Sequence, residues 1–165
     1  MSYRRNWIIG SVVILGLVMF IPVAQAQRQD YETIFCGTVT YTVVHFSKEA
    51  SIMVGDLKGI SQSTHESKLF DNWTQHNVFV LKGLDGKWNW NGFAKSMAPD
   101  GEFIIGEFYG DSESGTVTGK IVYGTGKWKG IKGESKSKRI TTGKPIVQGT
   151  EQFCEKRVGW IELPK

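Results

Sequence analysis

From Thr33 onward the apolar residues of this chain recur at every second position, in short runs broken by Gly, Asp, Asn and Ser, and no stretch holds the 3.6-residue period of an amphipathic helix. A chain patterned this way must bury one face of a pleated sheet. The longest run, Thr33 to Phe46, places Thr38, Thr40 and Thr42 on one face and Val39, Tyr41, Val43 and His45 on the other. Seven further runs fit strands: Ser51–Leu57, Asn77–Lys82, Lys87–Met97, Glu102–Tyr109, Thr116–Tyr123, Lys127–Ser137 and Glu151–Leu163. Between them, Asp85-Gly86, Asp100-Gly101 and the stretch Gly110 to Gly115 supply the positive φ angles that hairpins demand.

Glycine decides between a flat sheet and a closed one. Gly92, Gly106, Gly119 and Gly130 fall inside the expected strands, where they weaken a flat sheet but permit tight curvature. The fold expected is therefore all-β, a single eight-stranded antiparallel β-barrel. Closure makes the first and last strands neighbours. Cys36 and Cys154, the only two cysteines, sit on those strands, 118 positions apart, and are expected to form a disulfide. In the chain-entropy model such a bridge removes about 4 to 5 kcal/mol of unfolded-state entropy.

The amino end points to the compartment. Arg4 and Arg5 precede an almost wholly apolar run, Trp7 to Val23, and Pro22 precedes Ala24-Gln25-Ala26, a small-x-small cleavage pattern. We read residues 1–26 as a cleavable signal peptide and 27–165 as the barrel domain, exported to a periplasmic or extracellular space, where an oxidising milieu favours the disulfide. Loss of the two arginines lowers the formal charge from +4 to +2. At 40% hydrophobic and 22% charged residues, the composition excludes disordered and coiled-coil classes.

The segment Ile121-Val-Tyr-Gly-Thr-Gly-Lys-Trp-Lys-Gly-Ile-Lys-Gly133 resembles a hairpin motif of the allene oxide cyclase and dirigent barrels: a strand, Gly-Thr-Gly, an aromatic, then a Gly-spaced strand. Lys68-Leu-Phe-Asp-Asn and Met97-Ala-Pro-Asp-Gly-Glu are similar to stretches of exported bacterial proteins of that barrel type. The resemblance implies a barrel that encloses apolar molecules. Its plant enzymes cyclise reactive oxylipins, and its dirigent proteins steer radical coupling. It carries no catalytic residue onto this sequence by motif. Gly124-Thr-Gly126-Lys-Trp-Lys-Gly130 is not a dinucleotide fingerprint, since the third glycine is one place late and no helix follows. We read it as a tight turn whose Trp128 plugs one end of the barrel.

Within such a barrel Trp88 and Trp90 share a strand face and are candidates to line a cavity for a flat apolar ligand, with Tyr109 and Tyr123 beside them. Glu107 is the candidate acid or base if the face bearing Phe103, Ile105, Glu107 and Tyr109 turns inward, because burial would raise its pKa. His45, His65 and His76 lack ligand spacing, so no metal is expected, and no cofactor motif is present. There is no Gly-x-Ser-x-Gly elbow, and an exported chain without a recognised binding module argues against nucleic acid. Lys120 to Lys144 is rich in lysine against the single acid Glu134, and Lys127, Lys129 and Lys132 are candidates to touch an anionic envelope surface. The expected function is binding of a small apolar or aromatic molecule without turnover. The alternatives are a cofactor-free cyclase or isomerase in the same cavity, or an envelope-surface or protein interaction module built on the basic hairpin. Amino-terminal sequencing of the exported protein should begin at Gln27; retention of Met1 to Ala26 would mark the segment as an anchor.

Overall fold

Alternating burial requires a wall with one dry face, and the chain builds it from eight strands. They are β1 (Arg28–Phe46), β2 (Ala50–Ser63), β3 (Trp73–Leu84), β4 (Lys87–Met97), β5 (Phe103–Asp111), β6 (Val117–Gly124), β7 (Lys132–Gly143) and β8 (Thr150–Glu162). The computed structural model describes residues 27–163, so the export signal expected over Met1–Ala26 lies outside the described residues. Each strand pairs antiparallel with its sequence neighbour, and β8 closes the barrel on β1. The order is the one that short hairpin connections make cheapest in loop entropy.

The closing seam runs from Arg28↔Glu162 to Thr40↔Thr150 and sets Cys36 directly opposite Cys154. Those cysteines are bonded, with their Cα atoms 4.1 Å apart. At the β3–β4 hairpin, Asp85 and Gly86 take φ angles of 49° and 77°, the left-handed pair that a two-residue connection requires.

The two ends of the barrel differ. At the end where β1 begins, Tyr31, Phe70, Trp73, Ile104, Trp128, Ile131 and Ile161 form one buried cluster. Trp128 sits at the end of a 3-10 turn (Gly126–Trp128). Its ring meets Trp73 edge-on at 5.2 Å between centroids and lies over Phe70 at 6.3 Å. Trp128 is thus the plug that the turn motif suggested. Phe70 comes from the β2–β3 loop and holds φ at 60°, an uncommon conformation for a bulky residue. The loop is pinned to β2, where the Ser61 hydroxyl donates to the Phe70 carbonyl at 2.6 Å and the Ser63 N–H donates to Asp71 Oδ1 at 2.8 Å. At the opposite end, where the β1–β2, β3–β4, β5–β6 and β7–β8 hairpins turn, no such plug is present among the described residues.

Two differences from the expected strands have local causes. β7 starts at Lys132 rather than Lys127, because burying Trp128 pulls residues 126–128 out of extended conformation. β2 and β3 are longer than expected at the sealed end, where polar Ser61, Ser63 and Gln75 are buried and mask the alternation.

Replacing both Cys36 and Cys154 with alanine should lower the unfolding free energy by about 4 to 5 kcal/mol, the loop-entropy value for a 118-residue separation. Urea denaturation should show it, with an unchanged far-ultraviolet spectrum, because the β1–β8 ladder extends well to either side of the bridge.

Candidate ligand-binding lumen

Bulky side chains pointing inward from eight strands would ordinarily fill a barrel of this size. Here several of the rings lie flat on the wall instead, because the strand opposite each offers glycine. Phe79 is flanked in register by Gly55 and Gly92, Trp90 by Gly110, and Trp88 by Gly83. A Cβ placed on Gly55 would come within 2.4 Å of the Phe79 ring, and one on Gly110 within 2.6 Å of the Trp90 indole. The space spared is a cavity of about 410 Å³, within the usual range for small-molecule sites.

Trp88, Trp90, Leu81 and Phe108 line its open half, and Phe79, Leu57 and Phe153 its middle. Below them the lining turns polar. Gln75 and Asn77 face inward from β3, Ser135 and Ser137 from β7, and Glu155 and Arg157 from β8. Arg157 Nη2 donates to Glu155 Oε1 at 2.7 Å and to Gln75 Oε1 at 3.4 Å, and its guanidinium sits over the Phe35 ring. Burial works against the charge on Arg157, yet Glu155 and Tyr31 outweigh it and hold the pKa above its ordinary value. Tyr31 moves upward as well: burial raises its pKa, which Arg157 and a hydrogen bond with Ser135 only partly offset. It therefore stays a neutral phenol.

Nearer the mouth a second polar group repeats the theme. Tyr41 donates to Glu151 Oε2 at 2.8 Å, and Arg139 pairs with Glu151 Oε1. Burial, followed by the hydrogen bond to the Glu151 carboxylate, drives the Tyr41 pKa up, so this phenol too keeps its proton. Asn77 Oδ1 is buried without a hydrogen-bond partner among the described residues, an orphaned acceptor on the cavity wall. Such an atom ordinarily costs about 1 to 3 kcal/mol until a donor reaches it.

Of the residues singled out from sequence, Trp88 and Trp90 do line the lumen. The inward face of β5 is Ile104, Gly106 and Phe108, so Glu107 and Tyr109 are turned outward. Glu107 is in register with exposed Phe93 and with Lys120, and it borders the cavity through main chain laid bare beside Gly106 and Gly119. Tyr109 is 62% exposed. Tyr123 is 55% exposed, although Val117, Gly119 and Ile121 of its strand point inward; the register shift between Ile105 and Gly106 inserts Val122 and flips the next side chain outward. Lys127, Lys129 and Lys132 cluster outside the sealed end, with Lys127 held by Asp100 at 2.5 Å. The residues that sequence reasoning passed over are Arg157, Glu155 and Asn77. Counting in twos from the apolar Phe153 and Ile161 would have put Glu155 and Arg157 on the inner face.

No family model matches the chain, and no curated protein does. Solved structures do. The pterocarpan synthase dirigent protein GePTS1 superposes with a TM-score of 0.54 at 9% identity, covering 85% of this chain and 93% of its own. The pterocarpan synthase dirigent protein PsPTS1 does so with a TM-score of 0.54 at 12% identity, covering 86% and 99%. At such identities the likeness establishes the dirigent-like barrel fold.

Gly110→Ala should force the Trp90 indole off the wall and into the lumen, at an overpacking cost of about 1 to 3 kcal/mol. The checks are a shift in tryptophan emission and weaker uptake of 1-naphthol, whereas Tyr109→Ala, on the outer wall, should leave uptake unchanged.

Proposed function

We propose that this barrel binds one small apolar or aromatic molecule in its lumen and releases it unchanged. The observation that carries this reading is an unfilled cavity of about 410 Å³, ringed by Trp88, Trp90, Phe79 and Phe108 above a polar floor of Arg157, Glu155 and Gln75. Aromatic walls favour a flat ligand, and the unpartnered Asn77 acceptor favours one that carries a hydrogen-bond donor. The Cys36–Cys154 bridge suits export to an oxidising compartment. The local sequence resemblance to the allene oxide cyclase and exported bacterial barrels points the same way, toward a wall built to enclose apolar molecules.

A cyclase or isomerase is the second reading, favoured by a carboxylate and a neutral phenol, Glu155 and Tyr31, that both face the cavity. Glu155 is already engaged by the Arg157 guanidinium at 2.7 Å, which is why binding is put first. Glu107, whose side chain is exposed, is not used in either reading.

Titration with 1-naphthol followed by tryptophan fluorescence should give saturable one-to-one binding, and Trp88→Ala with Trp90→Ala should weaken it by roughly tenfold or more, in line with the value of buried aromatic contacts. Nuclear magnetic resonance should recover the naphthol unaltered. Native mass spectrometry of the protein from its own host should carry a co-purified small molecule. Absence of saturable binding to the folded protein would defeat the proposal, and chemical conversion of the co-purified molecule would transfer it to the enzymatic reading.

A further inference from the structure

The apolar lining of the lumen does not stop at the mouth. Along one rung, Trp90 is in register with Leu81, Leu81 with Met53 and Met53 with Val43, which is more than half exposed. Along the next, Trp88 is in register with Gly83, Gly83 with Ser51 and Ser51 with Phe46, which is 72% exposed. The lumen face thus runs out onto the tip of the β1–β2 hairpin. The neighbouring tips are apolar too: Leu84 on the β3–β4 hairpin, and Ile146, 83% exposed, with Val147 in the β7–β8 loop. Main-chain hydrogen bonds join these tips, from Asp85 N–H to the Glu49 carbonyl at 3.1 Å and from Tyr41 N–H to the Gly149 carbonyl at 3.2 Å.

We infer that this apolar rim docks the mouth of the barrel onto the interfacial region of a phospholipid bilayer, so that an apolar ligand passes between membrane and lumen without crossing water. The ligand-transfer half rests on the binding function proposed above; the docking half rests on the rim alone. Exposed aliphatic and aromatic side chains on separate hairpin tips around an opening suit a soft, deformable partner better than a flat protein face. Lys48, Lys82 and Lys144 flank the tips without ion-pair partners among the described residues and have stems long enough to reach headgroups. Glu49 and Asp85 stand on the same tips, so apolar burial drives docking and salt has little leverage on it.

The eight strands and the disulfide described lie within Arg28–Glu162, and the chain from Gln27, the expected exported form, is the one to test. Flotation with phosphatidylcholine vesicles should recover it in the lipid fraction both at low salt and at about 1 M salt, where the Debye length is about 3 Å. Phe46→Asp, Leu84→Asp and Ile146→Asp combined should cut the bound fraction by roughly tenfold or more, since each removes an apolar side chain from the exposed rim, while 1-naphthol binding in solution is retained. Failure of the unaltered chain to float overturns docking, even where naphthol binding survives. Flotation confined to anionic vesicles and abolished by high salt overturns it as well, as does its loss on replacing Lys127, Lys129 and Lys132 with Gln. A mouth-to-mouth dimer, seen as a doubled mass that the triple variant abolishes, with no flotation, would also overturn it. Flotation without naphthol binding supports docking and removes the lumen-binding function instead.

Discussion

Everything in this molecule hangs on the seam between β8 and β1. A barrel has no edge only if its first and last strands find each other, and that contact is the one of longest sequence separation, hence the most expensive in chain entropy. Two devices offset the cost. The ladder from Arg28↔Glu162 to Thr40↔Thr150 satisfies the main chain of both strands, and the Cys36–Cys154 bond confines the unfolded ensemble so that the ends never drift far apart. Outside the wall, Lys156 on β8 pairs with Glu32 on β1 at 2.8 Å and crosses the same seam, though at a half-exposed site such a pair adds little.

Closure alone would give a packed cylinder, and the distribution of glycine is what makes this one hollow at one end. Where large inward rings meet glycine across the ladder, as Trp90 meets Gly110 and Phe79 meets Gly55, the ring rests on bare backbone and the axis stays open. At the sealed end the aromatics arrive from outside the ladder, Phe70 from a loop and Trp128 from a 3-10 turn, and reach across the axis to one another. The plug is thus made by rings from a loop and a turn packing on Tyr31 and Trp73 of the strands, while Trp90 and Phe79 stay against the wall. The positive φ at Phe70 carries a conformational cost of about 1 to 3 kcal/mol, tolerated because the ring is buried against Tyr31 and Trp73 and its loop is hydrogen-bonded to Ser61 and Ser63.

The architecture was legible because alternation and turn residues act over a few positions. Period two, Asp85-Gly86 and the cysteines near the ends suffice to foresee a bridged antiparallel barrel, and Gly124-Thr-Gly126 foretells the turn that seats Trp128. The inside was harder to read. For β5 both faces are comparably apolar, Phe103 and Ile105 on one and Ile104 and Phe108 on the other, so parity depended on neighbours far along the chain. Tyr123 was misplaced by a bulge, which adds one residue and inverts every later side chain while leaving the sequence pattern intact. Arg157 and Glu155 were passed over because charged residues are taken as outward by default, a rule that fails when two opposite charges are buried as a pair.

That pairing bears on what the lumen can hold. Arg139 balances Glu151 near the mouth, Arg157 balances Glu155 deeper in, and Tyr31 and Tyr41 keep their protons. The interior thus offers directed dipoles and hydrogen bonds with no net charge. Breaking the Arg157–Glu155 pair to serve a charged guest would leave a largely buried ion uncompensated, at a typical cost of about 3 to 5 kcal/mol. A neutral guest incurs no such cost and gains the aromatic walls, and a single donor on it would answer the orphaned Asn77 oxygen. On the proposed binding function, the Arg157–Glu155 pair, which at first sight contradicts an apolar site, therefore favours uncharged guests over charged ones.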